Sequence, residues 1–279
     1  MDAQKRHEKF IYPVVRVAAA SKAGQGVGSG VCVYSKDGYI YILTNWHVIQ
    51  PLISIEDEWD AVAGKPVKRE SRVSGQVEFF EYERWSHMTN LRAMKAKLVG
   101  WDDRADLAIL ELRGKVDYTA PIAEADPDIF LGDRVVTVGC GLGIQPFPTV
   151  GIISALDCEM DGHDYIMSTA PAIFGNSGGP VLLEATGEVI GLTARIPVIM
   201  LGLGGAPISH MSYGISTKTI RDFLHAQMFD FVVDPTKTRE ECEKERQEIK
   251  DEALKAQRNA PEQEQQTATP TVGRFDHLG

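Results

Sequence analysis

The sequence predicts an all-β protein, and three observations carry that expectation. Short apolar runs recur, β-branched and aromatic in Val31-Cys32-Val33-Tyr34 and residues 39–44 and leucine-rich in residues 107–112. Turn-forming residues separate them, such as Lys36-Asp37-Gly38, Gly132-Asp133, Pro146 and Pro148. A clear helical spacing of apolar residues is reached late, where Ile220, Phe223, Leu224 and Met228 share one face.

In chain order, residues 2–9 read as a short helix and 10–20 as a strand with β-branched residues at 11, 14, 15 and 17. Gly24-Gln25-Gly26-Val27-Gly28-Ser29-Gly30 looks like a phosphate-binding loop, but such a loop leads into a helix. Here Val31 opens a strand, so the stretch is a glycine-rich hairpin. Residues 39–44 form the next strand, and His47 lies just past its end. Residues 51–97 read as a long loop with an acidic block at 56–60, a basic block at 65–72 and one strand at 76–82. His87 within it has no second ligand at metal-binding spacing. Strands at 96–101 and 107–112 follow, then a crossing at 116–131 that contains Pro121 and Pro127.

Strand patterning restarts at Gly132 and continues at 150–156 and 165–169, with 157–164 as a polar turn too poor in oxygen ligands for calcium. Strands at 181–183 and 188–194 precede an apolar loop at 195–211. A strand at 213–216 and a helix at 217–229 close the patterned part. Residues 238–260 are nearly all Glu, Lys, Arg, Gln and Ala, which suits a solvated helix with i,i+4 charge pairs. Residues 261–279 have a disordered composition.

The bounds on function come from composition. A chain of 279 residues with 43% hydrophobic content can bury a sizeable core. Its net charge of −10 disfavours a nucleic-acid partner. No apolar run is long enough to span a membrane. The polar, mixed-charge start at residues 1–9 is unlike a secretory signal and predicts the cytoplasm, with the periplasm or another compartment as the alternative if a leader was removed. Cys32, Cys140, Cys158 and Cys242 match neither a disulfide framework nor a zinc motif, so all four are expected reduced. Cys32 and Cys140 are expected to pack as small apolar residues.

Chemistry concentrates in Gly175-Asn176-Ser177-Gly178-Gly179-Pro180, a serine held between glycines. A hydroxyl becomes a useful nucleophile only when a base takes its proton. Two other stretches carry a histidine and an aspartate at the edge of apolar runs: Thr44-Asn45-Trp46-His47-Val48-Ile49 and Asp106-Leu107-Ala108-Ile109-Leu110. A free imidazole titrates near ~6.5 and can accept a proton at neutral pH. Asp102 and Asp103 lie close to Asp106, but Asp106 alone leads directly into the apolar run.

The order His47, Asp106, Ser177 is that of the trypsin-like serine peptidases. TNWHVI (44–49), DLAILEL (106–112), GIISAL (151–156) and GNSGGPV (175–181) resemble the HtrA/DegP branch of that clan over roughly residues 14–225. The resemblance implies two antiparallel six-stranded β-barrels of the chymotrypsin type with the site between them. It divides the chain into a first barrel at 10–115, a crossing at 116–133, a second barrel with its closing helix at 134–230, and a charged tail at 231–279. The tail is too short for the PDZ domain common in the family, and 236–279 is expected to be dispensable for chemistry.

The resemblance also assigns roles. His47 is the base, Asp106 its orienting carboxylate and Ser177 the nucleophile, with Gly175, Asn176 and Ser177 around the oxyanion. It implies a polypeptide substrate and no metal or organic cofactor. A homo-oligomer is compatible with it, since the family is often trimeric through an N-terminal segment, but residues 1–13 match that segment too weakly to carry the trimer over. The floor of the specificity pocket falls at Pro171 and Ala172, with Pro197 and Met211 on the opposite wall. No carboxylate is there to pair a buried cation, so cleavage is expected after small or medium apolar residues. Ile173 and Phe174 replace the Asn and Pro usual before the glycine turn. That departure leaves a second reading open: a protease-like binding or scaffold module with a non-productive site.

Overall fold

The computed structural model describes residues 2–22, 24–60, 65–84, 87–201 and 204–259. Strand periodicity explains its architecture. In Val14–Ser21 (β1), Val15, Val17 and Ala19 point into one core and Val14 into another. In Tyr39–Thr44 (β3), Ile40 and Ile42 join the first core and Tyr41 and Leu43 the second. Leu107–Arg113 (β8) repeats the split, with Ala108, Leu110 and Leu112 on one face and Leu107 and Ile109 on the other. Both faces of these strands are apolar because one fills a barrel and the other packs against a neighbouring layer.

The first barrel is closed by β1, Gly24–Lys36 (β2), β3, β8, His87–Asp102 (β7) and Gly75–Glu83 (β6), in that spatial order. The second is closed by Phe147–Met160 (β10), His163–Ser168 (β11), Ser212–Ser216 (β16), Val189–Arg195 (β13), Pro180–Leu183 (β12) and Arg134–Gly139 (β9). All these pairings are antiparallel. The expected all-β, two-barrel fold is thus borne out. Between the barrels, Val31, Leu43, Ile109, Val136, Val138 and Leu182 form a shared core with Ile220, Phe223 and Leu224 of the helix Thr217–Ala226 (α3).

Several local expectations are corrected. Residues 51–97 are not a loop with one strand. Ile53–Asp60 (β4) and Lys65–Arg72 (β5) pair as a separate two-stranded ribbon, and β6 and β7 are long barrel strands. The polar stretch at 157–164 is mostly strand: β10 runs to Met160 and turns back through Asp161 and Gly162, both at positive φ. An Asp-Gly pair with that backbone is the favoured two-residue hairpin turn. The apolar stretch at 195–211 carries a second ribbon, Val198–Leu201 (β14) with Gly204–Pro207 (β15). At the start, helix Ala3–Arg6 (α1) continues as a turn His7–Ile11, so Phe10 and Ile11 are helical rather than strand.

The charged helix Arg239–Asn259 (α4) was expected to be solvated, and one face of its first half is not. Arg239 is 8% exposed and Cys242 is fully buried. The Arg239 guanidinium lies 3.8 Å from the centre of the Tyr39 ring, and that of Arg246 lies 3.8 Å from the Phe229 ring. Arginine covers aromatic surface while keeping its charge satisfied, so a helix without an apolar stripe still docks. Cys32 and Cys140 are buried free thiols, each pushed up to about 12 by burial. Residues 261–279 lie outside the described residues.

Candidate active site

Strand β3 delivers the chain to the site and ends at Thr44; Trp46–Ile49 (α2) then forms one helical turn that carries His47. Asp106 stands immediately before β8 at φ +54°, a left-handed backbone that aspartate tolerates better than most residues. The preceding turn is shaped by Asp102, whose carboxylate accepts from the N–H groups of Arg104 and Ala105 at 2.8 and 3.0 Å. That hydrogen bonding separates Asp102 from Asp106 in role. The Asp106 main-chain oxygen accepts from Trp46 N–H at 3.2 Å and from Asn45 Nδ2 at 2.9 Å.

The Asp106 carboxylate grips His47 twice. Oδ1 accepts from the His47 main-chain N–H at 2.9 Å, and Oδ2 lies 2.8 Å from ring Nδ1. An ionised carboxylate can only accept, so Nδ1 carries the proton and the Nε2 lone pair faces outward in the neutral ring. The histidine side chain is 45% exposed and the aspartate 16%. The pair is thus shielded on the carboxylate side and open at the base.

The serine turn precedes β12 and belongs to the second barrel. Gly175 has φ +100°, and a Cβ there would sit 2.6 Å from Cys140 O. Gly178 has φ +84°, and a Cβ there would sit 2.2 Å from Ser29 O. Only glycine fits either position. The four carbonyls from Phe174 to Ser177 are each claimed. Phe174 O accepts from Leu142 N–H at 2.7 Å, Asn176 O from Gly179 N–H at 2.9 Å, and Ser177 O from Ser29 N–H at 2.8 Å. Gly175 O accepts from the hydroxyl of Ser29 at 2.7 Å. Among the described residues the N–H groups of Gly175 and Ser177 donate to no acceptor. Because N–H and C=O point oppositely across a trans peptide, fixing the carbonyls fixes where those donors point.

Asn176 was expected beside Gly175 and Ser177 in the oxyanion set, and the structure corrects this. Its N–H is spent on Ile173 O at 3.0 Å, and its side chain is 1% exposed, facing Gly141. Among the described residues no hydrogen bond joins Ser177 Oγ to His47. Of the expected pocket residues, Ala172 is buried and donates to Ser209 O at 2.8 Å. Pro171 is exposed, its carbonyl held by the Thr149 hydroxyl at 2.8 Å. Pro197 O accepts from Ile208 N–H at 2.8 Å, and Met211 N–H reaches Ile208 O at 3.3 Å, so these two residues share one loop. Arg195 is committed to Asp161 at 2.6 Å and lies over the Tyr165 ring.

Sequence reasoning missed Ser29, a fully buried hydroxyl that donates to Gly175 O and accepts from Cys140 N–H at 2.7 Å. Its only signal was a polar residue between glycines at the start of an apolar run.

Two closed six-stranded barrels, one carrying a histidine–aspartate pair and the other a glycine-flanked serine, define a chain of the chymotrypsin-type fold. The trypsin-like peptidase domain model matches residues 28–192. The chain belongs to the trypsin-like peptidase family, and the curated relatives it resembles are named as serine endoproteases of the DegP/DegQ type. It is 32% identical over 212 residues to the periplasmic pH-dependent serine endoprotease DegQ of Escherichia coli, covering 74% of this chain and 38% of that one. It is 32% identical over 178 residues to a probable periplasmic DegP-like serine endoprotease of Pseudomonas fluorescens, covering 63% and 30%. The match therefore spans 38% and 30% of the length of these two relatives.

Among solved structures, the HtrA-type protease AlgW with a tripeptide superposes with a TM-score of 0.59 at 24% identity, covering 83% of this chain and 64% of that one. A serine endoprotease of Yersinia pestis gives 0.56 at 23% identity, covering 83% and 68%. The relatives are periplasmic by name, and this overturns the cytoplasmic expectation. That expectation rested on the polarity of nine residues, which report on their own solvation and not on a compartment.

Proposed function

We propose that this chain is a serine endopeptidase in which His47, Asp106 and Ser177 act as a triad. The single observation that carries the reading is the double grip of Asp106 on His47, main chain and ring together. A base used in turnover must keep one tautomer and one orientation, and a carboxylate bonded to both ends of the residue enforces both.

In the proposed sequence, neutral His47 accepts the Ser177 proton at Nε2 as Oγ attacks a peptide carbonyl. The new oxyanion takes the unclaimed N–H groups of Gly175 and Ser177, each such donor being worth roughly 2.7–4 kcal/mol in comparable sites. The imidazolium, stabilised by Asp106, protonates the leaving amine. Water then hydrolyses the acyl-enzyme with His47 again as base. The missing hydrogen bond between Ser177 and His47 favours the second reading, a non-productive module, although catalytic hydrogen bonds often tighten only around substrate.

The substrate would be polypeptide, cut after small or medium apolar residues. Ala172, Pro171, Pro197 and Met211 offer no carboxylate, and Arg195 is already paired. Apolar pockets discriminate by only about 1–3 kcal/mol per methylene, so specificity would be broad. Labelling by a fluorophosphonate tests the reading. We expect stoichiometric labelling that vanishes in Ser177→Ala. A folded protein that resists the label would support the binding module instead.

A further inference from the structure

We propose that Arg16, on the first barrel, is a positioning residue for the oxyanion site of the second; this rests on the triad reading above. Arg16 lies in β1, where its neighbours Val15 and Val17 are fully buried. A cation in that strand needs partners, and it has three. Its Nε bonds to the Glu78 carboxylate, its Nη1 to the main-chain oxygen of Gly143, and its guanidinium lies 5.6 Å from the centre of the Phe80 ring. Glu78 is 7% exposed and is held on its other oxygen by Gln76 at 2.8 Å.

Gly143 ends the tight turn Gly141–Gly143, which follows β9 of the second barrel. The turn is under local strain, for Leu142 sits at φ +55°, a left-handed conformation costly for leucine. Two internal bonds brace it, from Gly143 N–H to Cys140 O at 2.9 Å and from Ile144 N–H to Gly141 O at 3.2 Å. Arg16 adds a charge-assisted bond from outside. The turn in turn supplies Leu142 N–H to Phe174 O at 2.7 Å. That carbonyl belongs to the Phe174–Gly175 peptide, whose N–H is one of the two unclaimed donors.

The path is short and each link is a hydrogen bond. Arg16 holds Gly143 O, the turn holds its strained form, Leu142 holds Phe174 O, and the Gly175 N–H is thereby turned away from Leu142. Losing the first link lets the strained turn relax, and the Phe174–Gly175 peptide then loses its stop. Gly175 has no side chain to resist rotation of that peptide. Arg16 touches no substrate in this scheme. Its loss therefore weakens what is bound only in the tetrahedral state.

The test compares Arg16→Met and Arg16→Lys with the parent on a peptide amide substrate, with a peptide boronic acid as probe of the tetrahedral state. Because Arg16→Met leaves the Glu78 carboxylate buried without its cation, the double variant Arg16→Met/Glu78→Gln is made beside it. We expect kcat to fall about tenfold or more with KM within about twofold, since a complete loss of one oxyanion donor costs on the order of 10²–10³. Boronate affinity should fall in parallel with kcat, and Arg16→Lys should recover part of both. A folded double variant with parental kcat and boronate affinity would overturn the inference. If the parent itself is not labelled at Ser177, the triad reading fails separately. The crystal structures of parent and double variant then decide on Arg16 alone. A turned Phe174–Gly175 peptide sustains its role, and an unmoved one removes it.

Discussion

Asp106 holds His47 by both its backbone and its ring, with Oδ1 2.9 Å from the main-chain nitrogen and Oδ2 2.8 Å from Nδ1. One carboxylate thus sets where the histidine sits and which ring nitrogen is left as the base. The consequence is that an amide is a poor replacement.

In Asp106→Asn, the amide can turn its NH₂ toward Nδ1 and stabilise the wrong tautomer. The shape of the site is kept and the lone pair at Nε2 is lost. We expect kcat to fall on the order of 10⁴-fold with little change in melting temperature. Steady-state kinetics on a peptide substrate, with a thermal melt as control, measure both. A loss below about tenfold would show that His47 does not depend on this carboxylate.

The barrels and the residues of the proposed triad were legible because their chemistry and periodicity are local. His47 and Asp106 each stand at the edge of an apolar strand, and Ser177 stands in a turn that only glycines can make. The strands around them alternate between two apolar faces, as Ile40 and Ile42 do against Tyr41 and Leu43. What escaped the sequence was set by residues far apart. The β4–β5 ribbon is paired along a charged stretch, where no apolar alternation marks a strand. Arg239 reads as a solvated helix residue until Tyr39, 200 positions earlier, is placed beneath it. Ser29 reads as a hairpin residue until Gly175 and Cys140 are brought to its hydroxyl.

Ser29→Ala removes that hydroxyl and leaves Gly175 O and Cys140 N–H without their partner. Leaving a buried polar group unpaired costs about 1–3 kcal/mol. We expect a loss of stability in that range, together with a lower kcat, because both groups belong to the turns around the oxyanion site. Urea denaturation and kinetics on the same preparation give the two numbers. A variant as stable and as active as the parent would mean that water or a local shift replaces the hydroxyl.

A pH-dependent element lies in the N-terminal segment. His7 is 8% exposed, its Nε2 has no partner among the described residues, and its ring packs edge-on against Tyr12 and Tyr82 at 4.7 and 4.5 Å. Burial lowers its pKa from the ordinary value of 6.5. The unfolded chain therefore binds a proton that the folded chain refuses in the window below 6.5, so stability falls as pH drops through that window and is fully present above it. Glu8, the carboxylate next in sequence, bonds to Tyr118 and keeps its own place on the surface. We expect His7→Phe to flatten the part of the stability profile just below pH 6.5. An unchanged slope in urea titrations across that range would show that other groups set the acid limit.

The last prediction separates the two halves of α4. Arg239 on Tyr39, Arg246 on Phe229 and the buried Cys242 fasten its start to the body of the protein. Burial also lowers the pKa of the Arg246 guanidinium, a sign that it is held away from water. Two desolvated cation–π contacts at roughly 0.5–2 kcal/mol each, with one buried thiol, suggest a loss of about 2–4 kcal/mol when the helix is removed. Ending the chain after Pro235 should therefore lower the urea midpoint clearly, whereas ending it after Asp251 should barely move it. Neither cut touches His47, Asp106 or Ser177, so turnover per folded molecule on a small peptide ester should stay at the parent level in both. Equal midpoints for the two truncations would show that the arginine contacts are decoration. Lost turnover with a folded barrel pair would place the helix in the active site instead.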